Sequence, residues 1–373
     1  MGSDAGRREP RKRYACRASL SGEPVSAGRE TWRSKSGETL TPVPLPFDPE
    51  AIEPGDRSVW RYRAMFPLDL APICLGEGGT PMIEASLVGL PVHFKVDYQQ
   101  PSGSYKDRGS ALVAAALVDT PARAAVIDSS GNAGASMAAY LARTNLPLKL
   151  FAPRDTPESK LRQAAAHGAE IDRSAETRLE AARLAQAAAG KGTAYASHVY
   201  HPLFLVGQMT MAWEIWEDLD RTLPDIVIVP VGNGLIVLGL HHGFKALVTA
   251  GLAERLPRIY GVQASACAPI FDAFQRGADQ VGEAASRPTL AGGLRVEAPP
   301  RGSQALAAVR ESGGAMLTVS EAEIRRGQAL AANLGWYVEP SSAVGLAGLV
   351  KLDKVIETGS RVVLPLTGSG LKS

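Results

Sequence analysis

The stretch DIVIVPVGNGLIV, residues 225–237, decides the fold class of this 373-residue chain. A short β-branched run ends near Pro230, and Gly232 and Gly234 then lead into a second apolar segment. Buried parallel strands have this composition, and a glycine turn between such a strand and a helix is typical of a βαβ unit. The two glycines let the backbone wrap an anion, and the start of the helix supplies free N–H groups.

The same pattern recurs along the chain. Short apolar runs predict further strands, and alanine-rich or amphipathic segments between them predict helices. Strands that alternate with helices predict an α/β fold with parallel sheets. The predicted strands are 91–98, 124–130, 146–153, 225–231, 258–264 and 361–367, and the predicted helices are 109–118, 131–144 and 157–168.

Composition excludes several classes of protein. The chain is 45% hydrophobic and 21% charged, as ordinary globular proteins are. Its 40 Lys and Arg against 38 Asp and Glu argue against a dedicated nucleic-acid binder. No apolar run reaches the length of a membrane span or resembles a secretory signal, so we expect a cytoplasmic protein. Cys16, Cys74 and Cys267 are too far apart to indicate a disulfide framework or a zinc knuckle, and we expect no metal.

The first 60 residues differ from the rest. Residues 21–55 are rich in Pro, Gly, Ser and Thr, which predicts an extended arm on the surface or across a dimer interface. Residues 1–20 either fray or contact an anionic partner. Their basic residues are Arg7, Arg8, Arg11, Lys12 and Arg13.

Two loops upstream carry residues suited to chemistry. In PSGSYKDRG, residues 101–109, Lys106 stands at a predicted helix start, where the helix dipole and burial favour the neutral, reactive amine. The alternative is a solvated first turn. In SSGNAG, residues 129–134, a strand-to-helix turn offers N–H groups, two hydroxyls and the amide of Asn132 to an anion. The alternative is an ordinary serine-capped turn.

Two common nucleotide-binding motifs do not fit. After Gly234 the third glycine of a dinucleotide fingerprint is misplaced and no acidic partner follows, and the chain has no GxxxxGK[ST] motif.

A Gly-Ser loop at 365–370, PLTGSG, follows the last predicted strand. It either belongs to a site or frays.

Taken together, PSGSYKDRG, SSGNAGAS, VPVGNG, VEPSSA and LTGSGLK resemble the threonine synthase family of fold-type II pyridoxal-phosphate enzymes, in order and approximate spacing. LGEGGTP at 75–81 is similar to the family's entry segment, so the resemblance runs from about residue 60 to the C-terminus. It implies a fold like that of the tryptophan synthase β-subunit, with two open twisted sheets. It also implies a large domain of 61–101 and 209–373, a small inserted domain of 102–208, and a homodimer.

The resemblance also implies roles for single residues. Lys106 would hold pyridoxal phosphate through a Schiff base and move the substrate's α-proton. Asn132 would bind the phenolic oxygen of the cofactor, and Thr367 would face its pyridine nitrogen. Glu339 would lie near the cofactor, or else cap the helix that begins at Pro340. The cofactor phosphate would be bound by Gly232, Asn233, Gly234, Leu235 and Ile236, and the substrate carboxylate by Ser129, Ser130, Gly131 and Ala133.

One departure from the family bears on the substrate. Where the family has a pattern like NPxRxEGQKT, this chain has HPLFLVGQMT at 201–210, with Phe204 and Met209 in place of the Arg and Lys. No Lys or Arg lies between Thr193 and Asp220. We therefore expect inefficient use of O-phosphohomoserine, unless a distant arginine such as Arg108 or Arg295 compensates.

We expect Phe204 and His201 to contact the substrate instead. His198 and His201 are the only imidazoles in this stretch, and each is either a substrate or acid–base group or a packed side chain. The expected reaction is β- or γ-elimination or replacement on an L-amino acid. A threonine or serine dehydratase and a β-substituted amino-acid synthase are alternatives, and so is a non-catalytic paralogue that only binds the cofactor.

Overall fold

The computed structural model describes residues 11–190 and 192–372 of the chain, so Arg7 and Arg8 of the basic tail lie outside the described residues. The strands are β1 Tyr14–Ala18, β2 Pro24–Ala27, β3 Leu40–Pro42, β4 Met82–Leu87, β5 Leu90–Lys95, β6 Ala124–Ile127, β7 Leu148–Pro153, β8 Glu170–Ala175, β9 Thr193–Tyr195, β10 Ile226–Pro230, β11 Arg258–Ala264, β12 Met316–Val319 and β13 Val362–Pro365. The α-helices are α1 Asp107–Val118, α2 Asn132–Leu141, α3 Glu158–Ala166, α4 Arg178–Ala188, α5 Pro202–Asp218, α6 Leu235–Thr249, α7 Pro269–Gln275, α8 Gly302–Glu311, α9 Glu321–Asn333 and α10 Pro340–Leu352.

The larger sheet has six strands in the order β12-β11-β10-β13-β5-β4. Every pair is parallel except β4 and β5, which form an antiparallel hairpin. Because β10 and β13 are parallel neighbours, their carboxyl ends lie at the same edge of the sheet. This edge brings the glycine loop after β10 close to the Gly-Ser loop after β13, and ligands of open α/β sheets bind at such an edge.

The smaller sheet has four parallel strands in the order β8-β7-β6-β9. All four strands come from residues 124–195, within the segment expected to form an inserted domain. The two open sheets and their helices confirm the predicted α/β class. Each predicted strand and helix overlaps an observed one.

Both expected domain boundaries fall inside helices. Residue 208 lies in α5, which is continuous from Pro202 to Asp218, and residue 60 lies in the 3-10 helix Val59–Met65. The chain leaves the smaller sheet after β9 and enters α5 at residue 202. The division into two domains stays a prediction.

The N-terminal segment is more ordered than an extended arm. Strands β1 to β3 form a small antiparallel sheet in the order β2-β1-β3, and their buried side chains join the main hydrophobic core. Arg301 ties this sheet to the body, because its buried guanidinium donates to the carbonyls of Leu40 (3.0 Å) and Val199 (2.5 Å). Burial lowers the pKa of Arg301 to about 10.

Within residues 11–190 and 192–372, no helix combines the length and the apolar character that crossing a membrane requires.

Candidate active site

Lys106 is the residue immediately before α1, as the motif predicts. The backbone N–H of Tyr105 donates to the carbonyl of Thr367 (3.0 Å), which brings the loop of Lys106 against the loop after β13. The buried carboxyl group of Asp107 accepts from the N–H of Ser102 (2.6 Å) and holds the loop closed. Burial raises the pKa of that carboxyl, and the bonds from Ser102 oppose the rise. The Lys106 Nζ atom donates to the Tyr105 hydroxyl at 2.8 Å.

The glycine loop after β10 ends in a left-handed residue. Gly234 has φ 88° and precedes α6, and a Cβ there would lie 2.6 Å from that of Ala305. A side chain at this position is therefore excluded both by conformation and by space. Gly232 packs against the backbone of Gly293 and Leu294. The first N–H groups of α6 have no partner within the helix and remain available to an anion.

Thr367, Glu339 and Asn132 meet beyond the end of β13. Thr367 is buried, and its N–H donates to the Ser342 hydroxyl at 2.9 Å. The N–H of Glu339 donates to the Gly368 carbonyl, and its carboxylate accepts from the Asn132 side chain at 3.0 and 3.1 Å. The Glu339 side chain makes no capping bond to α10, so the helix-cap alternative is wrong. Burial raises the pKa of Glu339, and the bond from Asn132 opposes the rise.

The predicted carboxylate residues form the turn between β6 and α2. Ser129, Ser130 and Gly131 are partly exposed, whereas Ala133 is buried in the first turn of α2. A Cβ on Gly134 would lie 1.9 Å from the Ser129 carbonyl oxygen, so only glycine allows so tight a turn. The turn places these N–H and hydroxyl groups beside Asn132, at the same side of the molecule as Glu339.

Phe204 and His198 lie on another side of Lys106. The ring of Phe204 is fully buried, and its centroid is 5.9 Å from the Lys106 Nζ atom. The His198 ring stands nearly perpendicular to it, with 6.0 Å between centroids. Burial, followed by the charge of Lys106, holds the pKa of His198 well below 6.5. Met209, by contrast, is buried where α5 packs on Gly243 of α6.

His201 is a correction to the predicted site. It is fully buried, its Nε2 atom contacts the carbonyl of Arg29 (3.0 Å), and its Nδ1 atom accepts from the N–H of Leu203 (3.3 Å). Burial lowers its pKa to about 4. Both ring nitrogens are bound to backbone groups, so His201 caps α5 and anchors the N-terminal segment, which contradicts a role as a substrate contact.

Of the two arginines expected to compensate for Phe204, Arg108 is committed to other groups, whereas Arg295 lies in an exposed loop. Arg108 is fully buried and donates to both oxygens of Asp97 and of Glu214, at 2.6 to 2.8 Å. Burial disfavours the charged form of Glu214, but Arg108 and Lys95 outweigh it and hold the pKa of Glu214 below its ordinary value. Arg295 is exposed in the loop after Leu294 and lies near Arg178, which donates to its carbonyl oxygen (3.2 Å).

Some contacts were not foreseen from the sequence. Ser342 supports Thr367 from within the quoted motif VEPSSA, and Tyr105 holds Lys106 from the adjacent position. Lys372 donates to the Ser102 carbonyl at 2.7 Å and so joins the C-terminal loop to the Lys106 loop. The sequence indicates that these residues belong to the site only because they lie within the motifs. It cannot predict the hydrogen bond between Lys372 and Ser102, because these residues are 270 positions apart.

The arrangement fits pyridoxal phosphate. A partly exposed lysine amine stands at a helix start, a glycine loop and a helix N-terminus offer N–H groups suited to a phosphate, and a buried threonine and an asparagine lie close by. An aldehyde, a phosphate and a polar ring require such a set of groups.

Comparison with known proteins agrees with this geometry. Residues 73–368 match the family described as "Pyridoxal-phosphate dependent enzyme". The threonine synthase of Mycobacterium bovis is 36% identical over 86% of this chain and 89% of its own length. That of Methanosarcina acetivorans is 32% identical over 88% and 83%. Among solved structures, an L-serine ammonia-lyase from Rhizomucor miehei superposes with a TM-score of 0.69 at 21% identity, over 78% of this chain and 93% of that one.

The fold and the site thus define a fold-type II enzyme whose cofactor is pyridoxal phosphate. Within that class, the chain belongs to the threonine synthase family, and it is a pyridoxal-phosphate-dependent lyase.

Proposed function

We propose that this enzyme catalyses elimination or replacement at the side chain of an L-amino acid, with Lys106 as the residue that carries the cofactor. Lys106 is the lysine beside Thr367, Tyr105 and Phe204, which supports this assignment. Its amine would take the α-proton of the substrate and return it.

The other groups around Lys106 would hold the cofactor. The N–H groups of 232–236 would bind its phosphate, Asn132 its phenolic oxygen, and Thr367 its pyridine nitrogen. When bound, pyridoxal phosphate supplies an electron sink for the charge that develops at the α-carbon. The Asn132 Nδ2 atom lies 3.0 and 3.1 Å from the two carboxylate oxygens of Glu339, which fixes the orientation of that amide. One N–H shared between the two oxygens would leave the second N–H for the cofactor. The turn at 129–133 would bind the substrate carboxylate.

The substrate's side chain would then point toward Phe204, and we propose that it carries no phosphate. The commitment of Arg108 to Asp97 and Glu214 carries this proposal, because that guanidinium is not free to bind a phosphate. A charge-assisted hydrogen bond contributes roughly 1.5–3 kcal/mol, so the loss of two lowers affinity about a hundredfold or more. An uncharged or acylated amino acid fits this side of the site better.

A substrate screen tests the function. Purified holoenzyme would be titrated with O-phosphohomoserine, O-acetylhomoserine, homoserine, O-acetylserine, serine and threonine, with the cofactor absorbance and the release of products followed. We expect poor threonine formation from O-phosphohomoserine and better turnover of an acylated amino acid. Efficient threonine formation at low O-phosphohomoserine concentration would overturn the substrate proposal.

A second experiment tests the residues. Borohydride reduction followed by peptide mapping should label the peptide that contains Lys106, and labelling of another lysine would contradict its role. Thr367→Asp should change the cofactor spectrum and the partition between products more than the midpoint of thermal unfolding, because Thr367 lies in a loop at the end of a strand.

We further propose a small domain of about 102–201, a large domain formed by the rest of the body, and a cytoplasmic homodimer. Among the described residues, the four strands of the smaller sheet pair with one another and with no strand of the six-stranded sheet, which supports the division. Light scattering on the purified protein would test the dimer, and limited proteolysis near residue 201 would test the boundary.

A further inference from the structure

Lys372 is a partly buried lysine that lies against the loop preceding Lys106. It belongs to the 3-10 helix Gly370–Lys372, and its Nζ atom donates to the Ser102 carbonyl at 2.7 Å. Its stem covers Gly103, where a Cβ would lie 3.0 Å from the Lys372 Cδ atom. Gly103 has φ 82°, so the loop makes a left-handed turn where this side chain packs on it. Lys372 therefore both bonds and covers the turn that leads to Lys106.

Backbone hydrogen bonds join the same two segments beside this contact. The N–H of Ser369 donates to the Gly103 carbonyl, and the N–H of Tyr105 donates to the Thr367 carbonyl, both at 3.0 Å. These donors are uncharged, whereas Lys372 donates from an ammonium, and a hydrogen bond from a charged donor is roughly twice as strong. The ammonium therefore holds the loop more tightly than the backbone bonds alone.

The ammonium of Lys372 also acts on two carboxyl groups of the site. Burial lowers the pKa of Lys372, and the carboxyl groups of Glu339 and Asp107 oppose the fall. The interaction is mutual, because burial raises the pKa of each carboxyl group and the charge of Lys372 is among the groups that oppose the rise. Lys372 is thus a cation shared by two carboxyl groups on either side of the Lys106 loop.

We propose that Lys372 is a positioning residue of the active site, whose ammonium fixes the loop that carries Lys106 and serves as a counter-ion to Glu339. The inference rests on the proposed function, because it needs the cofactor at Lys106. As a carboxylate, Glu339 accepts from the side chain of Asn132, the residue that would bind the phenolic oxygen. Lys372 acts through these residues and not on the reacting atoms.

Two substitutions at Lys372 separate its charge from its stem. Lys372→Met keeps an unbranched stem over Gly103 and loses the ammonium, whereas Lys372→Arg keeps a cation that can donate. The dissociation constant of pyridoxal phosphate would be measured by titrating the apoenzyme and following the absorbance of the bound cofactor. At neutral pH we expect Lys372→Met to weaken cofactor binding about tenfold, the loss of one charged hydrogen bond. Lys372→Arg should recover most of the affinity.

The pH dependence of cofactor binding tests the role of the charge. Burial raises the pKa of Glu339, and the bond from Asn132 and the ammoniums of Lys372, Lys106 and Lys160 oppose the rise. Without Lys372 the pKa of Glu339 should rise further, so the carboxyl group takes up a proton more readily. The loss of affinity in Lys372→Met should therefore grow as the pH falls from about 8 to about 6. In a Glu339→Gln background the loss should not depend on pH.

Lys351→Met is the matched control. The Lys351 Nζ atom also donates to a backbone carbonyl, that of Thr318 at 2.8 Å, and it pairs with Glu323 at 3.0 Å near the far end of α10. This variant should bind the cofactor as the wild type does, at every pH. Urea unfolding of the apoenzymes would report any general loss of stability.

Three results would decide against these proposals. If Lys372→Met binds the cofactor as tightly as the wild type, or no more weakly than Lys351→Met does, the inference fails. If the loss of affinity is the same at every pH, Lys372 is a structural clip and not a counter-ion to Glu339. If borohydride fixes the cofactor of the wild-type enzyme to a lysine other than Lys106, the proposed function itself fails.

Discussion

Replacing Gly207 by alanine tests the contact that positions Lys106. Gly207 lies in α5 where this helix crosses α1, and a Cβ there would be 2.1 Å from the carbonyl oxygen of Arg108 and 2.7 Å from the Cα atom of Gly109. Both atoms belong to the backbone of α1, so no side chain can rotate away. The two helices would have to separate by about 1 Å or more to restore ordinary contact.

The expected cost follows from two opposing effects. Overpacking of this kind typically costs about 1–3 kcal/mol and more when backbone must move. Alanine gains up to ~1 kcal/mol over glycine in a helix interior. We expect Gly207→Ala to lower the free energy of unfolding by about 2 kcal/mol. Lys106 immediately precedes α1, so a displacement of this helix by about 1 Å should lower turnover on the order of a hundredfold.

Gly345 provides the matched control. It lies in α10, and a Cβ there would meet its nearest neighbour, Leu364, at an ordinary 3.5 Å. Gly345→Ala should therefore be neutral or stabilise by up to ~1 kcal/mol. Urea unfolding and steady-state turnover would be measured for both variants. If Gly207→Ala matches Gly345→Ala in stability and wild type in turnover, the helix crossing does not position Lys106.

Three further predictions concern buried ionisable groups, each measured by urea unfolding. His201 has a folded-state pKa of about 4, below its ordinary 6.5, so the free energy of unfolding of the wild type should fall by up to about 3 kcal/mol between pH 6.5 and 4. The His201→Asn variant should lose less over the same range. If both proteins lose stability equally with falling pH, His201 does not cause the loss. The pKa of Glu339 is raised, so its native form binds a proton more tightly and stability falls as pH rises above ~4.5; Glu339→Gln should remove this fall and be the more stable protein at pH 7. Arg108→Met leaves the carboxylates of Asp97 and Glu214 buried without their guanidinium and should cost about 3–5 kcal/mol, whereas a loss below 1 kcal/mol would mean that water reaches them.

Most of the central strands could be predicted from the sequence because they are buried on both faces, whereas β5 is partly exposed and is predicted from its alternation of apolar and polar residues. The run RIYGVQA at 258–264 coincides with β11, and DIVIVPV contains β10. The four strands of the two larger sheets that sequence reasoning missed are β4, β8, β9 and β12, and each is the edge strand of its sheet. Edge strands are partly exposed, so they carry polar residues, as EIDRSA in β8 does, and give no continuous apolar run.

The sequence by itself also determined which residues stand at the ends of elements, where we propose that the chemistry of this protein lies. Lys106, the glycine loop and Thr367 follow from motifs that begin or end an element, because helix starts and strand ends offer free backbone groups wherever they occur. Local sequence carries that information, and no tertiary contact is needed to find it.

Only the tertiary structure decided which side chains meet. Asn132 bonds to Glu339 across 207 positions, and nothing local in either segment specifies that pairing. His198 and His201 lie three positions apart in one segment. The connection between β2 and β3 and the start of α5 occupy both nitrogens of His201, whereas His198 lies beside Phe204. The orientation of a side chain depends on the partners that the whole fold brings to it, and a linear sequence does not contain those distances.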